Sequence, residues 1–167
     1  MSQAAALKPR SRGGDLLGLA GFLLACFAVA GAAGAVTADS VATWYQTLNR
    51  PAFTPPDWVF APVWTALYAA MAVAAWRVWR KVGFDGGRTA LGLFAAQLLL
   101  NGAWSFLFFG AHWIGVALAE IVVLWLVIAA TTAAFWRIDR IAGLLFVPYL
   151  LWVGYATALN AGIWLAN

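Results

Sequence analysis

The residues best suited to hold a small molecule lie between positions 44 and 68, where aromatic rings alternate with prolines. The rings of this segment are Trp44, Tyr45, Phe53, Trp58, Phe60, Trp64 and Tyr68. Trp64 and Tyr68 are four residues apart, so on a helix they share one face. Offset stacking on such rings stabilises a flat apolar molecule by about 0.5–1.5 kcal/mol beyond area burial. The segment is therefore suited to bind planar hydrophobic ligands.

The prolines of the same segment are Pro51, Pro55, Pro56 and Pro62. Each proline fixes φ and removes a backbone donor, which predicts a stiff, extended stretch over 51–57. Asp57 directly precedes an apolar run and is predicted to cap the next helix. Two interpretations of the rings stay open: an aromatic belt at a membrane surface, or a stiff lid whose rings lie above a cavity.

Few other residues are suited to chemistry. Glu120 is the only acid well inside a predicted membrane span, which makes it a functional candidate, but a protonated or snorkelling side chain is the favoured interpretation. His112 could ligate haem iron, yet its turn at the membrane edge favours ordinary exposure. Cys26 is expected to be a small buried hydrophobe. The sequence has no recognisable acid–base pair, nucleophile–base pair or metal cluster, so we expect no metal site and no required cofactor.

Composition places these residues in a lipid bilayer. Of 167 residues, 65% are hydrophobic and 10% are charged, whereas soluble domains average about 45–50% apolar and about 25% charged residues. The net charge of +4 is a handful of loop charges, which excludes a basic nucleic-acid-binding face. A single cysteine excludes a disulfide framework.

Charge-free runs long enough to cross about 30 Å of hydrocarbon divide the chain into five spans. The expected fold is all-α, a bundle of five transmembrane helices with the proline- and aromatic-rich first loop acting as a lid. We predict a basic tail over 1–15 and a membrane domain over 16–167. Its helices are expected at about 16–38, 58–80, 90–109, 113–136 and 142–165, with the lid loop at 39–57.

The basic residues predict the orientation of this bundle. Nine of the ten Lys and Arg residues fall on one side of a five-span chain, which predicts an N-terminus inside. A cleavable secretory signal is the alternative for the first span, but its charge-free run exceeds the about 7–15 residues of a signal core, which favours a retained helix. We expect a multi-pass protein of a bacterial cell envelope.

Three separated motifs resemble the translocator protein/tryptophan-rich sensory protein family, also called the peripheral-type benzodiazepine receptor family. The first is W-Y-x-x-L-x-x-P-x-F-x-P-P-x-W-x-F-x-x-x-W-x-x-L-Y, from Trp44 to Tyr68. The second runs from Gln97 to Trp104 with Phe108-Phe109, and the third from Pro148 to Asn160. The resemblance implies five helices and a pocket under the first loop that binds porphyrins, sterols, and benzodiazepine- or isoquinoline-type ligands. It also implies a homodimer through the third helix, where Gly92 and Ala96 lie.

By position, the resemblance implies ligand-binding roles for Trp44, Trp58, Trp64, Tyr68, Asn101, Trp104, Trp152 and Ala156. The expected ligand is a porphyrin, such as protoporphyrin IX or haem. The buried amide of Asn101 must be paired, either as an interhelical clamp or with ligand. Pro148 is expected to kink the fifth helix toward the cavity, and the small side chain of Ala156 to leave room for ligand.

The sequence departs from the family pattern at two places. Ala52 stands where many relatives carry a second tryptophan, which removes one ring. No Lys or Arg follows Asn160, so the sterol-recognition pattern of the animal proteins is absent and cholesterol is not an expected ligand.

Three functional hypotheses follow, in this order of preference. The first is a membrane receptor or sensor that binds porphyrins and other planar hydrophobic ligands, with a role in tetrapyrrole transport or stress regulation. The second is a light- or oxygen-dependent porphyrin-degrading enzyme, with Trp64 and Trp152 as the candidate catalytic residues. The third is a structural membrane subunit whose rings only anchor it.

Overall fold

The computed structural model describes residues 12–167 and is a bundle of five long helices. The helices are α1 (Arg12–Ala42), α2 (Phe60–Gly86), α3 (Arg88–Ser105), α4 (Ile114–Ile138) and α5 (Arg140–Ala166). Each is long and apolar enough to cross a membrane, α3 together with the turn that follows it. No strand forms within the described range. The five-helix architecture is confirmed, while most of the tail predicted over 1–15 lies outside the described residues.

Helix boundaries differ from the predicted ones because helices continue past the charges that bound the apolar runs. α1 spans Arg12–Ala42, so Asp15 and Asp39 are helical. The Asp15 carboxylate lies 3.3 Å from Arg80 Nε, which stabilises a charge at the membrane edge. α2 continues to Gly86 across a break at Gly83, where φ is +69°, a conformation that favours glycine.

The turn between the third and fourth helices has a form that the sequence did not indicate. α3 is followed by a π-helical turn, Phe106–Gly110, in which the Ala111 N–H donates to the Phe106 carbonyl at 2.8 Å. The chain then turns at His112, where φ is +59°. The predicted break at Gly110-Ala111-His112 is confirmed, but the wider π-turn extends the helical stretch as far as Gly110, the first residue of that break.

The buried core lies around α2, whose Met71 and Val78 are fully buried. Toward one end of the bundle, Phe135 lies between Phe94 and Phe146, with ring centroids 6.2 Å and 5.0 Å away. We call this end, where Asp139 joins α4 to α5, the basic end. The opposite end, which carries the loop between α1 and α2, is the lid end.

A charged clip fastens the basic end. Arg77 donates to both oxygens of Asp139, from Nε at 3.2 Å and from Nη2 at 3.0 Å. Lys81 Nζ lies 3.2 Å from the same carboxylate. Asp139 also accepts from the Ala142 N–H at 3.0 Å, so it is the N-cap of α5. One carboxylate thus joins α2 to the connection between α4 and α5.

Candidate ligand-binding cavity

A cavity of about 600 Å³ lies inside the lid end of the bundle. This volume falls within the range of small-molecule pockets, about 300–1,000 Å³. All five helices contribute to its wall, and its aromatic side chains are Phe27, Tyr45, Phe60, Trp64, Tyr68, Trp104, Phe108, Phe109 and Trp152. The cavity can therefore surround a flat apolar molecule with rings on several sides.

Six of the eight predicted binding residues line this cavity: Trp64, Tyr68, Asn101, Trp104, Trp152 and Ala156. Trp64 and Tyr68 are one turn apart on α2, and their ring centroids lie 5.7 Å apart. The Phe60 and Trp152 rings meet edge to face at 5.9 Å. The interpretation of these rings as a cavity wall therefore agrees with their geometry.

Trp44 and Trp58 lie outside the cavity lining. Trp58 is 75% exposed, because it belongs to a short 3-10 turn, Asp57–Val59, that precedes α2. Trp44 stacks on His112 with centroids 3.9 Å apart and touches the edge of Phe108. Trp58 has the exposure expected of a residue in an aromatic belt at a membrane surface. Ligand contact by Trp44 and Trp58 stays a prediction.

A buried chain of polar groups crosses the bundle beside the cavity. The Tyr68 hydroxyl donates to Asn101 Oδ1, and Asn101 Nδ2 donates to the Tyr149 hydroxyl at 2.9 Å. Tyr149 in turn donates to Gln97 Oε1 at 2.9 Å. The chain joins α2, α3 and α5, so the amide of Asn101 serves as an interhelical clamp while also facing the cavity.

A second clamp involves Asn160, whose role the sequence analysis did not identify. Its Oδ1 accepts from Trp104 Nε1 at 3.1 Å, and its Nδ2 donates to the Ile114 carbonyl at 3.1 Å. Asn160 is 1% exposed, and an unpaired amide so deep in the protein would be costly. The signal that could have found it was an amide side chain late in an apolar helix.

Trp152 offers an unused hydrogen-bond donor. Its indole Nε1 is buried, and no acceptor for it exists among the described residues. Leaving a buried donor unpaired costs about 1–3 kcal/mol, and Trp152 lines the cavity. The Trp152 ring therefore faces the cavity while its N–H stays covered by protein.

The lid is held together by charged and polar side chains. Asp57 accepts from Gln46 Nε2 at 2.9 Å and from Arg50 Nη1 at 3.2 Å. Arg50 Nη2 also donates to Gln46 Oε1 at 3.2 Å. The predicted helix cap by Asp57 is wrong, because its carboxylate bonds to these two lid residues and α2 starts after Val59 without a side-chain cap.

The lid is also fastened to the adjacent end of α5. Asn49 N–H donates to Asn167 Oδ1 at 3.0 Å, and Asn167 Nδ2 donates back to the Asn49 carbonyl at 3.1 Å. The Tyr155 hydroxyl donates to the Phe53 carbonyl at 2.6 Å. These contacts hold the backbone of the predicted stiff stretch against one helix.

Three isolated residues of the sequence analysis lie outside the cavity lining. Both oxygens of Glu120 are buried with no hydrogen-bond partner in the described part of the chain, so this side chain does not snorkel to the surface. His112 is exposed, and its Nε2 lies 3.4 Å from Ser40 Oγ. Cys26 is fully buried, as expected.

α5 continues through Pro148 as one helix.

The fold and this cavity define a class of protein: a multi-pass, all-helical membrane protein with an aromatic-walled cavity under a fastened loop. The family model described as TspO/MBR matches residues 22–165. The chain belongs to the TspO/MBR family.

Named relatives agree with this assignment. The chain is 45% identical to a tryptophan-rich sensory protein of Cereibacter sphaeroides over 139 residues, which is 83% of this chain and 84% of the relative. It is 39% identical over 148 residues to Protein CrtK of Rhodobacter capsulatus, 87% of this chain and 90% of that protein. The translocator protein of Homo sapiens is 40% identical over 126 residues, 74% and 75% of the two chains.

Proposed function

We propose that this protein is a membrane receptor that binds porphyrins and other planar hydrophobic ligands in the cavity between its helices. The observation that carries the proposal is the ring-walled space of about 600 Å³ beneath the lid. Protoporphyrin IX and haem fit this description, and the names of the relatives, sensory protein and translocator protein, suggest a role in sensing or transport.

Ala156 provides the test of this site. Ala156→Phe fills cavity space, so we expect its dissociation constant for protoporphyrin IX, measured by quenching of tryptophan fluorescence, to rise at least about tenfold, or about 1.4 kcal/mol. The matched control is Ala158→Phe, because Ala158 lies on the same helix but is exposed and outside the lining. Equal binding by both variants, or no quenching of the wild-type protein, would contradict the proposal.

The alternative function is light- and oxygen-dependent porphyrin degradation. Its support is that Trp64 and Trp152 line the same cavity, so both indoles would lie beside one bound porphyrin. Under illumination in air, we expect Trp64→Phe and Trp152→Phe to abolish loss of the porphyrin absorption band if this alternative holds. Unchanged loss in both variants would leave binding as the function.

The proposed orientation places the lid outside and the basic end inside a bacterial cell membrane. Arg77, Arg80 and Lys81 lie at the basic end, whereas the lid carries Arg50 beside Asp57, which agrees with the positive-inside tendency. The test is labelling of Thr47→Cys in intact cells with a membrane-impermeant maleimide. Labelling only after lysis would contradict it.

We also propose a homodimer through α3. Gly92 and Ala96 are both exposed on this helix, and a Cβ built on Gly92 would meet nothing within 4 Å, so a second helix could approach closely. Gly92→Leu should increase the monomer fraction in cross-linking and native mass measurements. An unchanged dimer fraction would place the interface elsewhere.

A further inference from the structure

The connection between α4 and α5 carries more positive charge than its one acid balances. Arg77 and Lys81 both pair with Asp139, and Arg137 and Arg140 lie within two positions of it in the chain. Four cations and one carboxylate leave a net charge of +3 at this connection. Because two helices of spanning length meet here, the charge lies at the level of lipid headgroups.

Arg137 and Arg140 are the two cations of this connection that remain available. Both are exposed, and neither has an ion-pair partner within residues 12–167, since Asp139 pairs with the two cations of α2. The exposed Asp85 near the end of α2 forms no ion pair with them either. The two guanidiniums are therefore free to bind an anion from outside the chain.

An apolar stripe continues from Arg140 along the outside of α5 toward the lid end. Leu144, Pro148 and Leu151 follow Arg140 at helical spacing, so all four residues lie on one face of the helix. All four are exposed, with Leu144 at 54% and Leu151 at 68%. The stripe spans about 16 Å at the rise of an α-helix, so it extends from the headgroup level deep into the hydrocarbon.

Two tryptophans of α4 border this stripe on one side. A Cβ built on Gly143 of α5 would lie 2.7 Å from Trp136 Cε3, so the Trp136 ring lies directly on α5. The Trp125 indole donates to the Leu150 carbonyl of α5 at 3.1 Å. The two rings are 42% and 36% exposed. Together with the apolar stripe and the two free arginines they form a surface that we call the α4–α5 groove.

The chemistry of the α4–α5 groove fits an amphiphile with an anionic head. A guanidinium binds a phosphate through charge-assisted, bidentate hydrogen bonds, and a partly exposed tryptophan is suited to the boundary between headgroups and acyl chains. A small inorganic anion would leave the apolar stripe uncovered, and an uncharged lipid would leave the arginines unpaired. An anionic phospholipid satisfies both parts of the groove.

A second copy of this chain fits the α4–α5 groove less well. Two copies in one membrane that meet through the same surface are related by a two-fold axis along the membrane normal. Such an arrangement brings the basic ends to the same level, so Arg137 and Arg140 would face like charges. The charge of the groove thus favours a lipid over a protein partner.

We propose that the α4–α5 groove is a docking site for one anionic phospholipid. Arg137 and Arg140 hold its phosphate, and one acyl chain lies along the stripe of α5 beside the two tryptophans. None of the residues that form the groove lines the cavity, so the proposal goes beyond the proposed function and does not depend on it.

The experiment measures lipid binding to the purified protein by native mass spectrometry. The probe is dioleoylphosphatidylglycerol, and dioleoylphosphatidylcholine, which carries no net charge, is the comparison lipid. We expect the wild-type protein to bind the first molecule of the anionic lipid at least about fivefold more tightly than the comparison lipid. Higher ionic strength should reduce this preference, because salt screens exposed charges.

Arg137→Gln and Arg140→Gln should each raise the dissociation constant for dioleoylphosphatidylglycerol about fivefold, because one basic side chain near a membrane surface contributes about 1 kcal/mol. The matched control is Arg88→Gln. Arg88 is also an exposed arginine of the basic end without an ion pair in the described structure, but it lies on α3. The control should change the constant by no more than about twofold, because it acts only through the screened field of the whole end.

Equal weakening by Arg88→Gln would overturn the site, because the lipid would then respond to the total charge of the basic end. Equal affinity of the wild-type protein for the two lipids would overturn it as well. If either variant at the groove fails to fold by circular dichroism, the other arginine tests the same site.

Two further measurements separate the lipid from other occupants. Glycerol phosphate should displace dioleoylphosphatidylglycerol only at a concentration at least about tenfold higher than that of the lipid, and displacement at an equal concentration would mean that the groove binds an anion alone. A double variant, Arg137→Gln with Arg140→Gln, that changes the dimer fraction but not lipid binding would assign the groove to contact between copies. Either result would overturn the proposal, whereas failure of protoporphyrin binding would leave it unaffected.

Discussion

At the residue scale, Asn101 shows how one side chain can both hold the fold and face a ligand. Its carbonyl accepts from Tyr68 and its amide donates to Tyr149, so both ends are paired inside the protein. A ligand that bonds to Asn101 must therefore compete with these hydroxyls or approach an unused lone pair. Trp152 also lines the cavity, but its indole N–H is covered by protein and has no acceptor in the described structure.

We predict that Asn101→Leu lowers the free energy of unfolding by about 2 kcal/mol, because two buried hydroxyls lose a partner. Thermal unfolding in detergent, followed by circular dichroism, measures the change. The control Ser105→Ala removes a cavity-lining hydroxyl of the same helix that makes no bond to another helix in the described structure. A weaker ligand affinity with unchanged stability would show that Asn101 acts on the ligand and not as a clamp.

At the scale of the elements, the lid is a segment whose form depends on a distant helix. Prolines account for its stiffness, but its position depends on Asn49 and Asn167, which lie 118 positions apart. The two short 3-10 turns that flank the stiff stretch, Trp44–Thr47 and Asp57–Val59, leave it close to the surface of α5. The lid is therefore a fixed cover only while α5 holds it.

We predict that Asn167→Ala speeds amide hydrogen exchange across residues 44–56 by about tenfold, because it removes both bonds to the Asn49 backbone. Exchange in the middle of α2 should not change. The control Thr47→Val removes only a local bond to the Trp44 carbonyl. Unaltered exchange of the lid would mean that Tyr155 and the charged group around Asp57 suffice to hold it.

The sequence was sufficient to predict the number of helices, because charges and the break at residues 110–112 divide apolar runs of spanning length. It also identified part of the cavity wall, since Trp64 and Tyr68 share a helix face and Trp104 and Trp152 occupy positions of the family motifs. It missed the stacking of Trp44 on His112, because these residues are far apart in the sequence, and it missed the π-turn, which no motif marked. The role of Asp57 was missed because Gln46 and Arg50, in the same loop, donate to its carboxylate.

At the scale of the whole molecule, the two ends are held by different forces. The lid is joined to α5 by neutral hydrogen bonds above a cavity walled by rings, whereas the basic end is joined by the clip on Asp139. Burial of Asp139 would raise its pKa, but the Ala142 N–H and the Arg77 and Lys81 side chains outweigh this and lower the pKa to about 2 from an ordinary 3.8. The clip is therefore intact at neutral pH.

The lowered pKa of Asp139 predicts that the folded protein becomes less stable in acid. Because the pKa of Asp139 is lower in the folded protein, the unfolded chain binds the proton first as the pH falls. The contribution of Asp139, about 2 kcal/mol, is present above about pH 4 and is lost between about pH 4 and 2. The measurement is the free energy of unfolding in detergent across this range.

Asp139→Asn should remove the loss of stability between about pH 4 and 2. It should also lower the free energy of unfolding at pH 7 by about 3 kcal/mol, because Arg77 and Lys81 lose a buried anionic partner. The amide oxygen of the new side chain can still cap α5. The control Asp85→Asn replaces an exposed carboxylate and should keep the wild-type pH profile. An Asp139→Asn protein with the wild-type decline between pH 4 and 2 would assign the acid sensitivity to other carboxylates.

The π-turn at Phe106–Gly110 has a consequence for how this protein can vary. It contains one residue more than an ordinary α-turn, and Phe108 and Phe109 both reach the cavity from it. Loss of a single codon there would restore the α-helical phase and remove one ring, while the preceding turns of α3 keep their partners. Insertions and deletions at this turn thus offer evolution a means of reshaping the cavity that point substitutions do not provide.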